Sequence, residues 1–349
     1  MRIRFNAIRS AAVLTLVIVS AVTSSPSVHG ADRSLPKHAI QQFGKDGRAR
    51  WFGSSERGCF AVAFSPDGKQ VATGHSRDAR RWDVATGKLL ATYPNPRGTV
   101  HAVRFSPDGK HLAYGAYGNS FALIDLATDQ KVAEPNVGIC VGFFVDYSAD
   151  GSRMVSDLGG GKGARWDEVG LWDTATQRLL RRFRVTGSAW RAAITPDGSK
   201  VVIGDSKGFV TTWDAGSGKQ ISRRSVGGWV QDLKLSSDGR RVFALSGHPD
   251  NALVIADLDP RKPSRRIQLD KVGRAVAVSP DGRFVATAGN EKGIQLFDTA
   301  SGKQVGRLAG HKGGVSSLTF SPDGKSLLSG GFRGKALLWD VSRVLKNEE

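Results

Sequence analysis

The sequence predicts an all-β chain built from seven copies of one four-stranded antiparallel unit. Three observations carry that prediction: a tetrapeptide turn that recurs at a near-constant interval, a second marker in phase with it, and strand-length apolar runs between the two. The turn is Ser65-Pro66-Asp67-Gly68. It returns as Ser106-Pro107-Asp108-Gly109, Ser148-Ala149-Asp150-Gly151, Thr195-Pro196-Asp197-Gly198, Ser236-Ser237-Asp238-Gly239, Ser279-Pro280-Asp281-Gly282 and Ser321-Pro322-Asp323-Gly324, at intervals of 41 to 47 residues. The second marker is a hydrophobic residue followed by Asp, at Trp82-Asp83, Ile124-Asp125, Trp172-Asp173, Trp213-Asp214, Ala256-Asp257, Phe297-Asp298 and Trp339-Asp340.

Within a unit the first strand precedes the turn, as in the alternating run Val100 to Phe105. Pro then presets φ and Gly supplies the positive φ that brings the chain back. A short second strand follows (Leu112 to Gly115), then a loop, then a third strand ending at the hydrophobic-Asp marker. A second turn such as Ala85-Thr86-Gly87-Lys88 leads into a fourth strand, Leu89 to Tyr93. About ten residues per strand plus turn is the spacing of an antiparallel all-β protein. There is no room for a crossover helix.

The paired markers, repeated seven times in phase over residues 47 to 341, resemble the WD-repeat β-propeller family. That resemblance implies a single seven-bladed propeller of four-stranded antiparallel blades around a central channel. The ends fit a closed ring. Counted back from the first turn by the offset that finds a fourth strand in the next unit, Gly47 to Phe52 (with Trp51 and Phe52) falls where a fourth strand would lie, and the last unit stops after its third strand at Asp340. The N-terminal strand is therefore expected to complete the last blade and remove a sheet edge. The expected organisation is a signal segment at 1–30, a linker at 31–46, the propeller at 47–342 and a tail at 343–349.

The sequence departs from the family's pattern where members carry a buried His–Asp–Ser–Trp network. Only Gly310-His311 has the His in its usual place, followed by Ser329 and Trp339, with Arg333 where the Asp would be; Asp250 suits the Asp position of blade five, which has neither His nor Trp. Rigidity is thus expected mainly from apolar packing, with Trp82, Trp172, Trp213 and Trp339 in the core.

The chain starts with Arg2, Arg4 and Arg9, an apolar run from Ala11 to Val22, and a small polar stretch to Gly30. Twelve apolar residues suit an export signal and fall short of the roughly 20 that span a bilayer. Export to the periplasm, cell surface or medium is expected, the alternative being an uncleaved membrane anchor; no later segment is apolar for long enough to span. The 349 residues carry 50 Lys+Arg against 32 Asp+Glu, a net charge of +18, which becomes +15 once the three arginines of residues 1–30 are removed. Two cysteines exclude a disulfide scaffold. Cys59 and Cys140, in inner-strand regions of blades that do not touch, are expected as buried unpaired thiols.

Catalytic chemistry finds little support. His101 and His111 read as packed or solvated, His311 as structural. Gly159-Gly160-Gly161-Lys162-Gly163 lacks the spacing, the Ser/Thr and the following helix of a phosphate loop. The residue five before each first turn should approach the channel mouth: Phe60, His101, Phe143, Trp190, Gln231, Arg274 and Ser316. None is a carboxylate, which disfavours a metal-dependent hydrolase. No cofactor, metal or small-molecule substrate is expected.

The reading is a non-catalytic scaffold for a protein or peptide partner. Blade three separates its markers, Asp150 and Asp173, by 23 residues where Asp108 and Asp125 are 17 apart, so about six residues are inserted within Asp157 to Glu168. In the family such loops share the face that holds partners. Arg165, Trp166, Trp190, Arg191 and Trp229 are therefore the candidate contact residues, a composition typical of binding hot spots; the alternative is that Trp190 and Trp229 only fill gaps between blades. A second class of reading uses the charge. Arg178, Arg181, Arg182 and Arg184, the pair Arg223-Arg224, and Arg261, Lys262, Arg265 and Arg266 could attract anionic envelope polymers or nucleic acid, against the alternative of a solvated rim.

Overall fold

Each Ser/Thr-x-Asp-Gly turn closes in the same way. In the first, the Gly68 N–H donates to Ser65 O at 2.9 Å, the Ser65 hydroxyl donates to Asp67 Oδ1 at 2.6 Å, and the same carboxylate oxygen accepts the Lys69 N–H at 3.0 Å. The seven turn glycines have φ between 68° and 71°, the left-handed region where a Cβ is costly. In the computed structural model, which describes residues 39–43, 58–135, 141–158, 166–291, 293–333 and 335–342, these turns join the inner and second strands of seven four-stranded antiparallel sheets. No described residue forms a multi-residue helix.

The inner strands are Ala61–Phe64, Val100–Phe105, Val145–Tyr147, Ala189–Ile194, Val230–Leu235, Gly273–Val278 and Val315–Phe320. Each lies against its neighbours in sequence, and the seventh lies against the first, so the seven described blades close into one ring. Apolar cores sit between consecutive blades rather than in one central body. One holds Ala72, Tyr93, Val100, Phe105, Leu112 and Tyr114 of blades one and two. Another holds Ala275, Leu296, Leu318, Leu327 and Trp339 of blades six and seven.

The last blade is completed by an N-terminal strand, and its position corrects the sequence count. Ala39–Phe43 pairs antiparallel with Ala336–Asp340, with Gln42 opposite Leu337 and Phe43 opposite Ala336. This strand falls in the segment read as linker, while Gly47 to Phe52 lies outside the described residues. The physical reason is loop length. Seventeen positions, 44–60, separate this outer strand from the next inner one, where only 95–99 separate the outer strand of blade one from the inner strand of blade two.

Contacts between successive turns stitch the ring from blade to blade. Gly109 lies over Pro66 of the preceding blade's turn, Gly151 over Pro107, and Gly68 over Pro322 across the closure. Where the turn lacks Pro, at Ala149 and Ser237, an arginine reaches over instead: Arg153 donates to Gly198 O at 2.9 Å and Arg241 to Gly282 O at 3.1 Å.

Buried hydrogen bonds exceed what the sequence suggested. In blade seven, Ser329 Oγ accepts the Trp339 indole N–H at 2.7 Å and lies 2.7 Å from His311 Nε2. Blade one builds the same triad from a different His: Thr73 Oγ1 accepts from Trp82 at 2.8 Å and lies 2.8 Å from His75 Nε2. Trp172 donates to Ser156 at 2.9 Å and Trp213 to Thr211 at 3.0 Å. Trp82, Trp172 and Trp339 are buried, and Trp213 is half-buried against Phe183. Cys59 is buried and free, its thiol pushed up to about 12 by burial; Cys140 lies outside the described residues.

Candidate functional site

The residues expected at the channel mouth arrive there through a repeated irregularity. In blades two, four, five, six and seven the ladder between inner and second strands skips one residue, and the skipped residues are His101, Trp190, Gln231, Arg274 and Ser316. A bulged residue loses its cross-strand partner and its side chain is re-aimed. Phe60 and Phe143 occupy the corresponding place just before their strands. The five-residue offset from the turn therefore marks a structural position, the bulge at the start of the inner strand.

These side chains make a nearly continuous aromatic rim. Phe332, from the loop between the second and third strands of blade seven, lies 6.4 Å from Phe60 (ring centroids); Phe60 is 5.9 Å from His101, and His101 5.5 Å from Phe143. Phe143 stacks on Trp190 at 5.0 Å and 27°, and Trp190 on Trp229 at 6.4 Å and 28°. Trp166 joins from the blade-three loop, 6.2 Å from Phe143. The three tryptophans singled out in the sequence are thus brought together, bridged by Phe143. Trp166 and Trp190 are half-buried; Trp229, with 49% of its surface exposed, is the open end of the stack. The Trp190 indole N–H is buried and has no hydrogen-bond partner among the described residues.

Beneath the rim lies a channel cavity of about 260 Å³, lined by residues including His101, Arg104, Asp146, Arg191, Asp232 and Lys234. Arg104 pairs with Asp146 at 2.6 Å and Arg191 with Asp232 at 3.1 Å. Asp232 also accepts the N–H groups of Leu233 and, across the blade boundary, Val276, both at 2.9 Å. Burial, reinforced by the Arg191 charge, pushes the His101 imidazole down to about 4, so it is neutral near pH 7.

Two groups of the expected charged residues are engaged within the ring. Arg191 turns into the channel, holding Asp232 and donating to Trp190 O at 2.8 Å. The basic clusters are largely engaged by the ring itself. Arg182 and Arg184 pair with Glu168 at 3.0 and 2.5 Å, Arg261 with Asp259 at 2.8 Å, Lys262 with Asp257 at 2.9 Å and Arg266 with Asp250 at 2.8 Å. Arg181 donates to Gly216 O and Ser217 O of the next blade, Arg224 to Pro260 O and Lys262 O, and Arg265 to Ser301 O. Arg223 covers the Phe209 ring at 3.6 Å. Arg181, Arg224 and Arg265 clip their outer strands to the following blade, and the charged outer strands discourage edge-to-edge pairing. Arg178 is exposed. Arg165 and the Gly159–Gly163 segment lie outside the described residues.

Sequence reasoning missed Phe332, because the loop that carries it has no marker in the repeat. Among the described residues no group of three or more His, Cys, Asp or Glu is placed to hold a metal ion, and no helix is long and apolar enough to cross a membrane.

Comparison with known proteins places this architecture. The family model described as WD domain, G-beta repeat matches residues 49–83, 87–125, 269–298 and 302–340. The chain is similar to eukaryotic translation initiation factor 3 subunit I of Bombyx mori, at 24% identity over 76% of this chain and 73% of the relative. It is similar also to WD repeat-containing protein 1 of Xenopus tropicalis, at 29% identity over 49% of this chain and 30% of the relative. Actin-interacting protein 1 of Drosophila melanogaster is 28% identical over 45% of this chain and 34% of the relative. The chain thus spans about three-quarters of the initiation-factor subunit but only about a third of the other two. Seven four-stranded blades in a closed ring, four of their repeats matched by the family model, mean that the chain belongs to the WD-repeat β-propeller family.

Proposed function

We propose that this chain is an exported, non-catalytic scaffold that binds a protein or peptide partner through the face carrying the aromatic rim. The observation that carries the reading is the cluster of Phe143, Trp166, Trp190 and Trp229, which leaves a large aromatic half exposed at the mouth of a rigid ring. Large aromatics in a half-desolvated setting are the residues that dominate binding energy at protein interfaces. The ring supplies many loop surfaces without a catalytic constellation. Two relatives bear names that describe a subunit of a larger factor and an actin-interacting protein, which favours a protein as the occupant. Export rests on the basic start and apolar run of residues 1–30.

The test is affinity capture from the extracytoplasmic fraction using wild type, Trp166→Ala and Trp229→Ala, with near-UV circular dichroism to show that the ring stays folded. Loss of a captured protein in both variants is expected. Capture that is unchanged by either substitution overturns the proposal. Terminal sequencing of the recovered chain tests export, with cleavage expected at or before Gly30 and an intact Met1 contradicting it.

A further inference from the structure

Below the aromatic rim, the channel cavity of about 260 Å³ carries one charge that its own walls leave over. The lining holds three cations, Arg104, Arg191 and Lys234, against two carboxylates, Asp146 and Asp232. With His101 neutral near pH 7, the excess is positive. Two of the cations are matched. Arg104 Nε and Nη2 both donate to Asp146 Oδ1, at 2.9 and 2.6 Å, and Arg191 Nε donates to Asp232 Oδ1 at 3.1 Å.

Lys234 is the third, and the repeat explains why it is left. It stands two residues before the turn residue Ser236, the place held by Arg104 in blade two and Asp146 in blade three. Blades four and six put Ala193 and Ala277 there, so neither neighbour offers Lys234 the carboxylate that Asp146 offers Arg104. Only Asp232, on the same strand, comes near, at 4.0 Å, and its oxygens are already engaged: Oδ1 by the Leu233 N–H at 2.9 Å and by Arg191, Oδ2 by the Val276 N–H at 2.9 Å. Among the described residues the Lys234 ammonium makes no hydrogen bond, and 37% of its side chain stays open. Ser317 adds a neutral donor to the same cavity, since its Oγ accepts the Val62 N–H at 3.1 Å and its hydroxyl hydrogen is left to donate. Much of the remaining wall is apolar, including Phe60 and Phe143 toward the rim and Ala102 and Ala193 deeper down.

We propose that the channel is a binding site for a small organic carboxylate, with its anionic end on Lys234 and its apolar body against Phe60 and Phe143. Apolar walls focus the field of an unmatched cation, and a concave apolar site with a few convergent polar groups is the usual form of a small-molecule pocket. A cavity of about 150 Å³ accommodates benzene, so this one has room for a ring and a charged group. A cationic guest would add to the excess charge, and a neutral one would strip water from Lys234 without replacing it. The probes are benzoate, its neutral counterpart benzamide, benzylammonium and inorganic phosphate, titrated into the folded chain by calorimetry. Benzoate should bind most tightly, about tenfold better than benzamide, as one hydrogen bond to a charged group provides. Lys234→Met and Lys234→Gln, each checked for folding by near-UV circular dichroism, should bring benzoate down to the level of benzamide and leave benzamide unchanged. Lys110→Met, which removes the same charge from an exposed turn, should leave the preference intact.

Benzamide, benzylammonium or phosphate binding as tightly as benzoate, no binding of any of the four, or a benzoate preference that survives both Lys234 substitutions overturns the proposal. None of these outcomes bears on the rim, where capture of a protein partner through Trp166 and Trp229 is read in a separate experiment.

Discussion

Ser329→Ala should destabilise the ring through blade seven, and the structure sets the size of the effect. Ser329 is fully buried; its Oγ accepts the Trp339 N–H at 2.7 Å, lies 2.7 Å from His311 Nε2 and is 3.3 Å from Leu337 O. Removing the hydroxyl leaves the Trp339 N–H and a His311 nitrogen without that partner inside a dry core. Each unsatisfied buried group costs about 1–3 kcal/mol, so the expected loss from the two is about 2–6 kcal/mol. Against a typical domain stability of about 5–15 kcal/mol this is a large share. Burial pushes His311 down to about 4, so a compensating charge is not available near pH 7. Urea unfolding followed by circular dichroism gives the loss. In a Trp339→Phe background, where no indole N–H is left to orphan, the same serine substitution should cost less by about 1 kcal/mol or more. A loss below about 0.5 kcal/mol, or an identical loss in the two backgrounds, would refute the view that this triad is a working part of the closing blade.

The second turns offer a paired test. Gln177 and Asp129 hold φ of 58° and 57° where Gly87, Gly218 and Gly302 serve in other blades. Gln177→Gly should gain about 0.5–1 kcal/mol in unfolding experiments, and a loss would contradict the strain argument. Asp129→Gly should instead lose stability, because Asp129 pairs with Arg81 at 2.8 Å and accepts from the buried Tyr93 hydroxyl at 2.6 Å. Asp157 supplies a pH test. Burial pushes its carboxyl up to about 7 against an ordinary value of about 4, so its contribution is full below about pH 4 and is lost as pH rises through about 7. Asp157→Asn, which can still accept the Gly142 N–H now bonded at 2.9 Å, should therefore gain on wild type between about pH 5 and 8; parallel stability curves would contradict this. The turn carboxylates Asp150 and Asp197, held down at about 2 chiefly by hydroxyl hydrogen bonds, act with the opposite sign and weaken the ring only as acid protonates them. Finally, a chain starting at residue 44 should aggregate where one starting at residue 35 stays soluble, because it uncovers the edge of Ala336–Asp340. Equal light scattering from the two would argue against closure by Ala39–Phe43.

The blades were legible in the sequence because each depends on local chemistry that repeats: Gly at a positive φ, a hydroxyl capping an Asp, and alternating apolar residues. The closing strand was misplaced because counting by offset assumes equal loops, and the connection at 44–60 is longer than the others. The rim residues were found for a related reason, since the same offset lands on the same bulge in blade after blade. What the basic clusters do was not legible. Arg181 meets carbonyls 35 and 36 residues away and Arg265 one 36 residues away, at a distance set by the geometry of adjacent blades. The blade-one triad escaped because His75 comes from the loop after the second strand, whereas His311 precedes the inner strand.

If the aromatic rim, and not the opposite face with its Ser/Thr-x-Asp-Gly turns, holds the partner, contact should be confined to the rim side. Photo-cross-linking tests it directly, with a photoreactive amino acid placed at Trp229 on the rim or at Lys110 beside a turn, followed by capture from the extracytoplasmic fraction. A discrete protein adduct is expected from position 229 and none from position 110. An adduct formed from 110 and missing from 229 would contradict it.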